Sequence, residues 1–242
     1  MKRQTLVTKR QVVYVVGGSG AIGAAISKQL LAHRRQVVVL DLKPPTNSRF
    51  SFVSIDLKDR RSISEALNQA KNTFGPPDAL IFAAGYMKIC AFMDLNEETI
   101  MDHLQINLLG AFSVAKNAAK MMAKQGGKIV FVSSIHGQIG VPKRGAYAMS
   151  KAALGALGRA MAVELSQFGI RVNVLAPGAV DAGMAPDPKS RSYWNRETPA
   201  GRVAHVEEIA QFAALLVSDK ASFVSGQTIA LDGGVSNLRL YN

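Results

Sequence analysis

The sequence predicts a doubly wound, three-layer α/β fold on a parallel sheet of about seven strands. Short β-branched runs alternate with helix-length amphipathic segments, a glycine-rich turn follows the first run, and no Pro/Gly/Ser linker divides the 242 residues. A hydrophobic content of 48% with 21 Gly and no low-complexity tract belongs to a globular chain, so residues 1–242 read as one domain.

The elements follow in order. QVVYVV is the first strand and Ala21 to Ala32 its helix; QVVVLD and FSFVSID are the next two strands, followed by a helix over Ser62 to Thr73. DALIFAAG, a helix over Glu97 to Lys124, GKIVFVSS, a helix over Gly145 to Gln167, IRVNVLAPG, a helix over Val206 to Ser218 and QTIALDGG complete the alternation. Near-continuous apolar runs suit strands covered on both faces. One stretch breaks the rhythm: residues 180–202, with three Pro, little apolar periodicity and the single Trp194, read as a substrate loop or lid after a strand end.

Charge and composition exclude several function classes. The net charge of +12 is scattered over short basic groups at Met1 to Arg10, His33 to Arg35 and Lys58 to Arg61, none interleaved with aromatics, so no nucleic-acid partner is expected. Cys90 is the lone cysteine and the first residues lack a secretory h-region, which fits a reducing cytoplasm. No run approaches the roughly 18 apolar residues of a membrane span. The four His and one Cys are too dispersed for a metal site.

Directly after the first strand, GGSGAIG opens a helix, the context a phosphate-binding turn requires. Gly17 makes the tight turn, Gly23 lets helix and strand approach, and the helix N-terminus offers unpaired N–H groups to a pyrophosphate, with Ser19, Gly20, Ala21 and Ile22 between them. Asp41 ends the second strand at the spacing of a carboxylate that accepts hydrogen bonds from an adenosine ribose, which favours NAD over NADP, although Lys43 partly offsets the repulsion. Leu42 follows it; Asp56 and Leu57 end the third strand near the adenine, and the small residues Ala83, Ala84 and Gly85 let a cofactor pass close to the backbone. The result is a Rossmann-like nucleotide end.

At the other end, Ser133 and Ser134 close a strand, and Tyr147 and Lys151 stand at i and i+4 on one helix face. An ammonium beside a phenol favours the ionised form and is expected to lower the Tyr147 pKa, making it a usable acid and base. Ser134 is placed to hydrogen-bond the substrate oxygen.

The order of these motifs resembles that of the single-domain short-chain dehydrogenases/reductases nearly end to end: the glycine loop, Asp41, the AAG segment, INLLG with Asn107, FVSS with Ser134, YAMSK, the APG of Ala176 to Gly178, and SGQTIALDGG. The resemblance implies that Asn107 supports a water and the helix backbone in a proton relay, Ser134 orients substrate, Tyr147 is the acid/base and Lys151 binds the nicotinamide ribose. It also places Pro177, Gly178 and Val180 near the nicotinamide and implies a homotetramer, or a homodimer. The chain departs from the pattern at Val16, at Ala21, at FAAG in place of NNAG, and at Ala182.

The expected activity is NAD(H)-dependent interconversion of a secondary alcohol and a carbonyl on a small polar substrate, a hydroxy acid, sugar or polyol. An NADPH-dependent 3-oxoacyl-carrier-protein-type reductase is the alternative, and a non-catalytic nucleotide-sensing or structural subunit the alternative of another class. Lys88, His136, Lys143 and Arg144 flank the active-end motifs and are candidates to surround an anionic group; SSIHG resembles a segment of the family's 3-hydroxybutyrate dehydrogenases. Trp194 is the remaining substrate candidate. The small residues Ala146, Ala152, Ala153, Gly155, Ala156, Gly158 and Ala160 on the Tyr147 helix suggest close packing, either in a helix-bundle dimer or within the chain.

Overall fold

The computed structural model describes residues 10–182 and 188–237; of the basic group at Met1 to Arg10, only Arg10 falls within them. Seven strands form one parallel sheet in the order β3-β2-β1-β4-β5-β6-β7: β1 Val12–Val16, β2 Gln36–Asp41, β3 Ser51–Ser54, β4 Ala79–Phe82, β5 Gly127–Val132, β6 Ile170–Pro177 and β7 Thr228–Leu231. The helices are α1 Ala21–Ala32, α2 Arg60–Phe74, α3 Glu97–Leu104, α4 Ala111–Met122, α5 Gly145–Leu165, α6 Pro188–Glu197 and α7 Val206–Leu216.

The pleat divides the core into two layers. Val12, Tyr14 and Val16 of β1 join Leu40, Phe82 and Phe131 beneath α2, α4 and α5, whereas Val13 and Val15 join Val39, Ile81 and Leu175 beneath α1 and α7. Every residue of β1 and β4 is buried, which explains why those strands read as unbroken apolar runs. The chain winds outward from β1 to β3, then returns to place β4 on the other side of β1, so the connections diverge at the C-terminal ends of β1 and β4 and leave a crevice there.

Local chemistry sets the helix boundaries. The Asp59 carboxylate accepts from Arg61 N at 2.8 Å and starts α2 before the expected Ser62; Ile63, Ala66, Leu67 and Ala70 supply its buried stripe. Asn96 caps α3 through Thr99 N at 2.9 Å, with Glu97 and Glu98 at the positive end of the helix dipole.

Two expectations need correction. The helix expected over Glu97 to Lys124 is α3 and α4 joined by a π-helical turn, Gln105–Gly110, and it ends at Met122. The segment 180–202 is not all loop, for its second half contains α6. Pro188 occupies the first helical position, where a missing N–H leaves no bond unmade, and Trp194 O accepts from both Thr198 N at 3.0 Å and Thr198 Oγ1 at 2.6 Å. A polar helix with no apolar stripe leaves no periodicity to detect.

The small residues of α5 serve two directions. Gly155 and Gly158 are buried, and a Cβ on Gly158 would overlap the Val174 side chain of β6, so the glycine is demanded within the chain. Ala152, Ala156 and Ala160 are exposed. Gly158→Ile is expected to destabilise the protein, since overpacking of about 1–3 kcal/mol exceeds the helix propensity recovered on removing glycine. An unchanged urea-denaturation midpoint would contradict the buried α5–β6 contact.

Candidate active site

A cleft of about 1370 Å³ opens at the C-terminal edge of the sheet across the crevice between β1 and β4. Every residue expected from the sequence to bind cofactor lines it, and so do Ser134, Tyr147 and Lys151; Asn107 does not.

At the nucleotide end the chain turns at Gly17, whose φ of +76° suits glycine, while its N–H donates to Leu40 O at 2.8 Å. A Cβ on Gly17 would overlap the Ala84 backbone, and one on Gly23 would overlap the Gly17 carbonyl, so the cradle tolerates no side chain at either position. Gly20 precedes α1 in extended conformation without a side-chain cap, leaving the helix N-terminus available to an anion. Asp41 Oδ2 accepts from Ser19 N at 3.0 Å, and Ser19 Oγ donates to Lys43 O at 2.7 Å, tying the glycine turn to the end of β2. Asp56 Oδ1 accepts from Lys58 N at 2.8 Å, so this carboxylate also organises its own turn at the cleft wall. Glycine cradle, open helix end and terminal carboxylate together fit a nicotinamide-adenine dinucleotide.

At the reacting end Ser134 lies just past β5, with Tyr147 and Lys151 one turn apart on α5. Burial pushes the Tyr147 phenol up to about 12, against the opposing hydrogen bond from Ser134 and the charge of Arg144; burial also pushes Lys151 down to about 8. Lys151 Nζ donates to Val132 O at 3.0 Å and lies 5.6 Å from the Tyr147 ring centroid. The two groups are neighbours as expected, but the expected lowering of the Tyr147 pKa is not found, because desolvation outweighs the Ser134 hydrogen bond and the Arg144 charge.

The sequence reading missed the residues that hold this pair. Ser133 Oγ donates to Lys151 O at 2.8 Å, and Ser150 Oγ donates to Tyr147 O at 2.7 Å while accepting from Asn107 Nδ2 at 2.9 Å. Asn107 is fully buried in the π turn and also clamps Tyr86, accepting from its N–H at 2.7 Å and donating to its carbonyl at 2.9 Å. Its side chain therefore acts on backbone and on Ser150. His103, also buried, accepts from Lys88 N at 3.1 Å through Nε2, donates through Nδ1 to Thr99 O at 2.7 Å, and packs between the Tyr86 and Tyr147 rings. Ser133 and Ser150 were visible in FVSS and YAMSK as polar residues inside apolar elements; nothing local marked His103.

Of the substrate candidates, His136, Arg144 and Trp194 line the cleft, whereas Lys88 and Lys143 are exposed and do not. Of the four residues expected to surround an anionic group, His136 and Arg144 remain. The His136 ring packs 5.8 Å from Tyr147 and 6.0 Å from Trp194, and burial, with a smaller contribution from the Arg144 charge, pushes its pKa down to about 4. Val180 forms a parallel bridge with Ala204, and Asp181 accepts from His205 Nδ1 at 2.7 Å, which fixes the strand exit on which α6 follows. Among the described residues no group of three or more His, Cys, Asp or Glu is placed to hold a metal ion, and no helix is long and apolar enough to cross a membrane.

Residues 17–236 match the family model described as enoyl-(acyl carrier protein) reductase. The chain belongs to this family and is a single-domain short-chain dehydrogenase/reductase, an oxidoreductase. It is 33% identical to the oxidoreductase UcpA of Salmonella typhimurium, over 91% of this chain and 92% of that one. It is 32% identical to the 3-oxoacyl-[acyl-carrier-protein] reductase MabA of Mycobacterium tuberculosis, over 92% of each. The fold matches that of the ligand-free aldohexose dehydrogenase of Thermoplasma acidophilum, with a TM-score of 0.91, 24% identity and 97% of both chains covered.

The pKa of Lys151 has a consequence for stability. Between about 8, its folded value, and 10.5, the ordinary one, the unfolded chain holds a proton that the folded chain has released, so stability of the cofactor-free protein rises with pH through this window. Tyr147, raised from 10.0 to about 12, works in the opposite sense only above 10. Urea midpoints of the cofactor-free protein are expected to climb from pH 8 to pH 10, and Lys151→Met to remove the climb; an equal slope in the variant would contradict the burial of a neutralised amine.

Proposed function

We propose that this protein is an NAD(H)-linked oxidoreductase that interconverts a secondary alcohol and a carbonyl on a small polar substrate. The observation that carries the proposal is the convergence of Ser134, Tyr147 and Lys151 with the glycine cradle and Asp41 on one cleft. The residues that would hold the dinucleotide are Gly17 to Gly23 at the pyrophosphate, Asp41 at the adenosine ribose and Lys151 at the nicotinamide ribose, with Pro177, Gly178 and Val180 beside the ring. When bound, the nicotinamide supplies or accepts the hydride.

The chain's own residues handle the proton. In reduction, Ser134 holds the substrate oxygen and Tyr147 gives it the phenolic proton as the carbon takes the hydride; in oxidation the hydroxyl proton returns to Tyr147. A phenol whose pKa is about 12 in the cofactor-free site is almost wholly protonated at neutral pH, so its use as the base in oxidation depends on the Lys151 charge, and a lysine near 8 is suited to exchange that proton at neutral pH. Asp41 supports NAD, because a 2′-phosphate would meet its carboxylate.

The likeness to MabA favours a second reading as an NADPH-dependent 3-oxoacyl-carrier-protein-type reductase, which the basic charge of +12 would also suit. Asp41 weighs against it. We further propose a cytoplasmic homo-oligomer, tetramer or dimer, supported by the exposed apolar residues of α5, Met149, Ala152, Ala156, Ala160 and Val163, and by Phe112 of α4. No nucleic-acid or membrane partner is proposed.

Tyr147→Phe is expected to lower turnover by roughly 10²- to 10⁴-fold while leaving NADH binding unchanged by nicotinamide fluorescence. In the same titration NADH is expected to bind more tightly than NADPH. Tighter NADPH binding would overturn the role of Asp41 and promote the second reading; undiminished turnover in Tyr147→Phe would overturn the acid–base assignment.

A further inference from the structure

The substrate end of the cleft contains a guanidinium with no counter-charge among the described residues. Arg144 immediately precedes α5 and lines the cleft, and its Nε is buried without a hydrogen-bond partner among the described residues. None of the ion pairs among the described residues includes it. The carboxylate on the same wall, Asp181, is committed to His205 at 2.7 Å, to Val206 N at 3.2 Å and to Arg191 at 3.7 Å. A second orphan lines the same cleft: His136 Nδ1 is buried without a hydrogen-bond partner among the described residues.

Buried polar atoms in folded proteins are almost always hydrogen-bonded, and a buried charge without a partner is costly. Two such nitrogens, on different elements but in one cleft beside the catalytic phenol, are what a site built for an absent acceptor looks like. The acceptor must be anionic to balance Arg144 and carry at least two lone-pair positions to serve both nitrogens, which a carboxylate does. It must also be small, because the His136 ring lies between Tyr147 and Trp194, the latter contributed by α6.

Resting on the oxidoreductase reading above, we propose that the substrate is a short hydroxy acid and its oxo-acid counterpart, whose carboxylate is held by Arg144 and His136 beneath Trp194. Arg144 and His136 bind the spectator carboxylate and set the distance from it to the reacting carbon, while Ser134 and Tyr147 act on the oxygen at that carbon. Sugars and polyols, which have no charge to offer Arg144, leave both nitrogens unsatisfied and are poorer substrates.

Trp194 is the only tryptophan in the chain, so its emission reports this corner of the site directly. NADH-loaded enzyme is titrated with malonate and acetate, which have no reducible carbonyl, and with the neutral malonamide and acetamide. Saturable changes in Trp194 emission are expected with the carboxylates, at concentrations at least about 10-fold lower than with the amides, and Arg144→Gln is expected to abolish that preference while Arg144→Lys retains part of it. Amides binding as well as carboxylates, or a preference unchanged in Arg144→Gln, would overturn the proposal; should Arg144→Gln fail to fold, the wild-type comparison of malonate with malonamide decides alone. Turnover of polyols that Tyr147→Phe abolishes, together with no carboxylate preference, would sink the hydroxy-acid assignment and leave the acid–base reading standing. Undiminished turnover in Tyr147→Phe would do the reverse.

Discussion

The reacting end of this molecule depends on a buried polar junction between the tip of β5 and the first turns of α5. Ser133 donates to the Lys151 carbonyl, Lys151 Nζ returns to the Val132 carbonyl, and Asn107 reaches Tyr147 through Ser150. These bonds are made where water is excluded, so each is costly to leave unmade and the set admits one geometry. The π turn at Gln105–Gly110 belongs to the same junction: it places Asn107 where one amide spans the Tyr86 backbone and Ser150. Tyr147 and Lys151 are thus positioned by the side chains of Ser133, Ser150 and Asn107.

The same burial decides the electrostatics. Removing the phenol and the amine from water disfavours the charged form of both, and for Tyr147 that effect is larger than the opposing influence of Ser134 and the Arg144 charge. At neutral pH the cofactor-free site therefore holds a protonated phenol beside a Lys151 that still carries most of its charge. At the substrate end Arg191 is paired with Asp181, whereas Arg144 lines the cleft with no ion-pair partner among the described residues.

Much of this was legible in the sequence, for identifiable reasons. The strands and the α1 boundaries follow from apolar runs bounded by turn residues, and the glycine cradle from a motif whose spacing backbone contact demands: Gly17 and Gly23 leave no room for a Cβ. The residues that line the cleft were recoverable because they sit at C-terminal strand ends. What escaped was of two kinds. α6 is too polar to show a stripe, and its proline resembles a breaker when it is a helix start. The pKa of Tyr147 depends on desolvation, which no i, i+4 spacing reveals, just as the separation of Arg144 from Lys143 and Lys88 depends on which side chains turn into the cleft.

The central claim is that a hydride passes between a bound nicotinamide and a secondary carbinol carbon while Tyr147 handles the proton. Its most direct test is isotopic: the enzyme is incubated with NADH deuterated at nicotinamide C4 and a set of short oxo acids and ketones, and the products are read by mass spectrometry and NMR. The account predicts one deuterium on the carbinol carbon of the alcohol formed, from one face of the nicotinamide and none from solvent. Deuterium absent from every product while NADH binds the cleft, or carried at a carbon other than the carbinol, would contradict it.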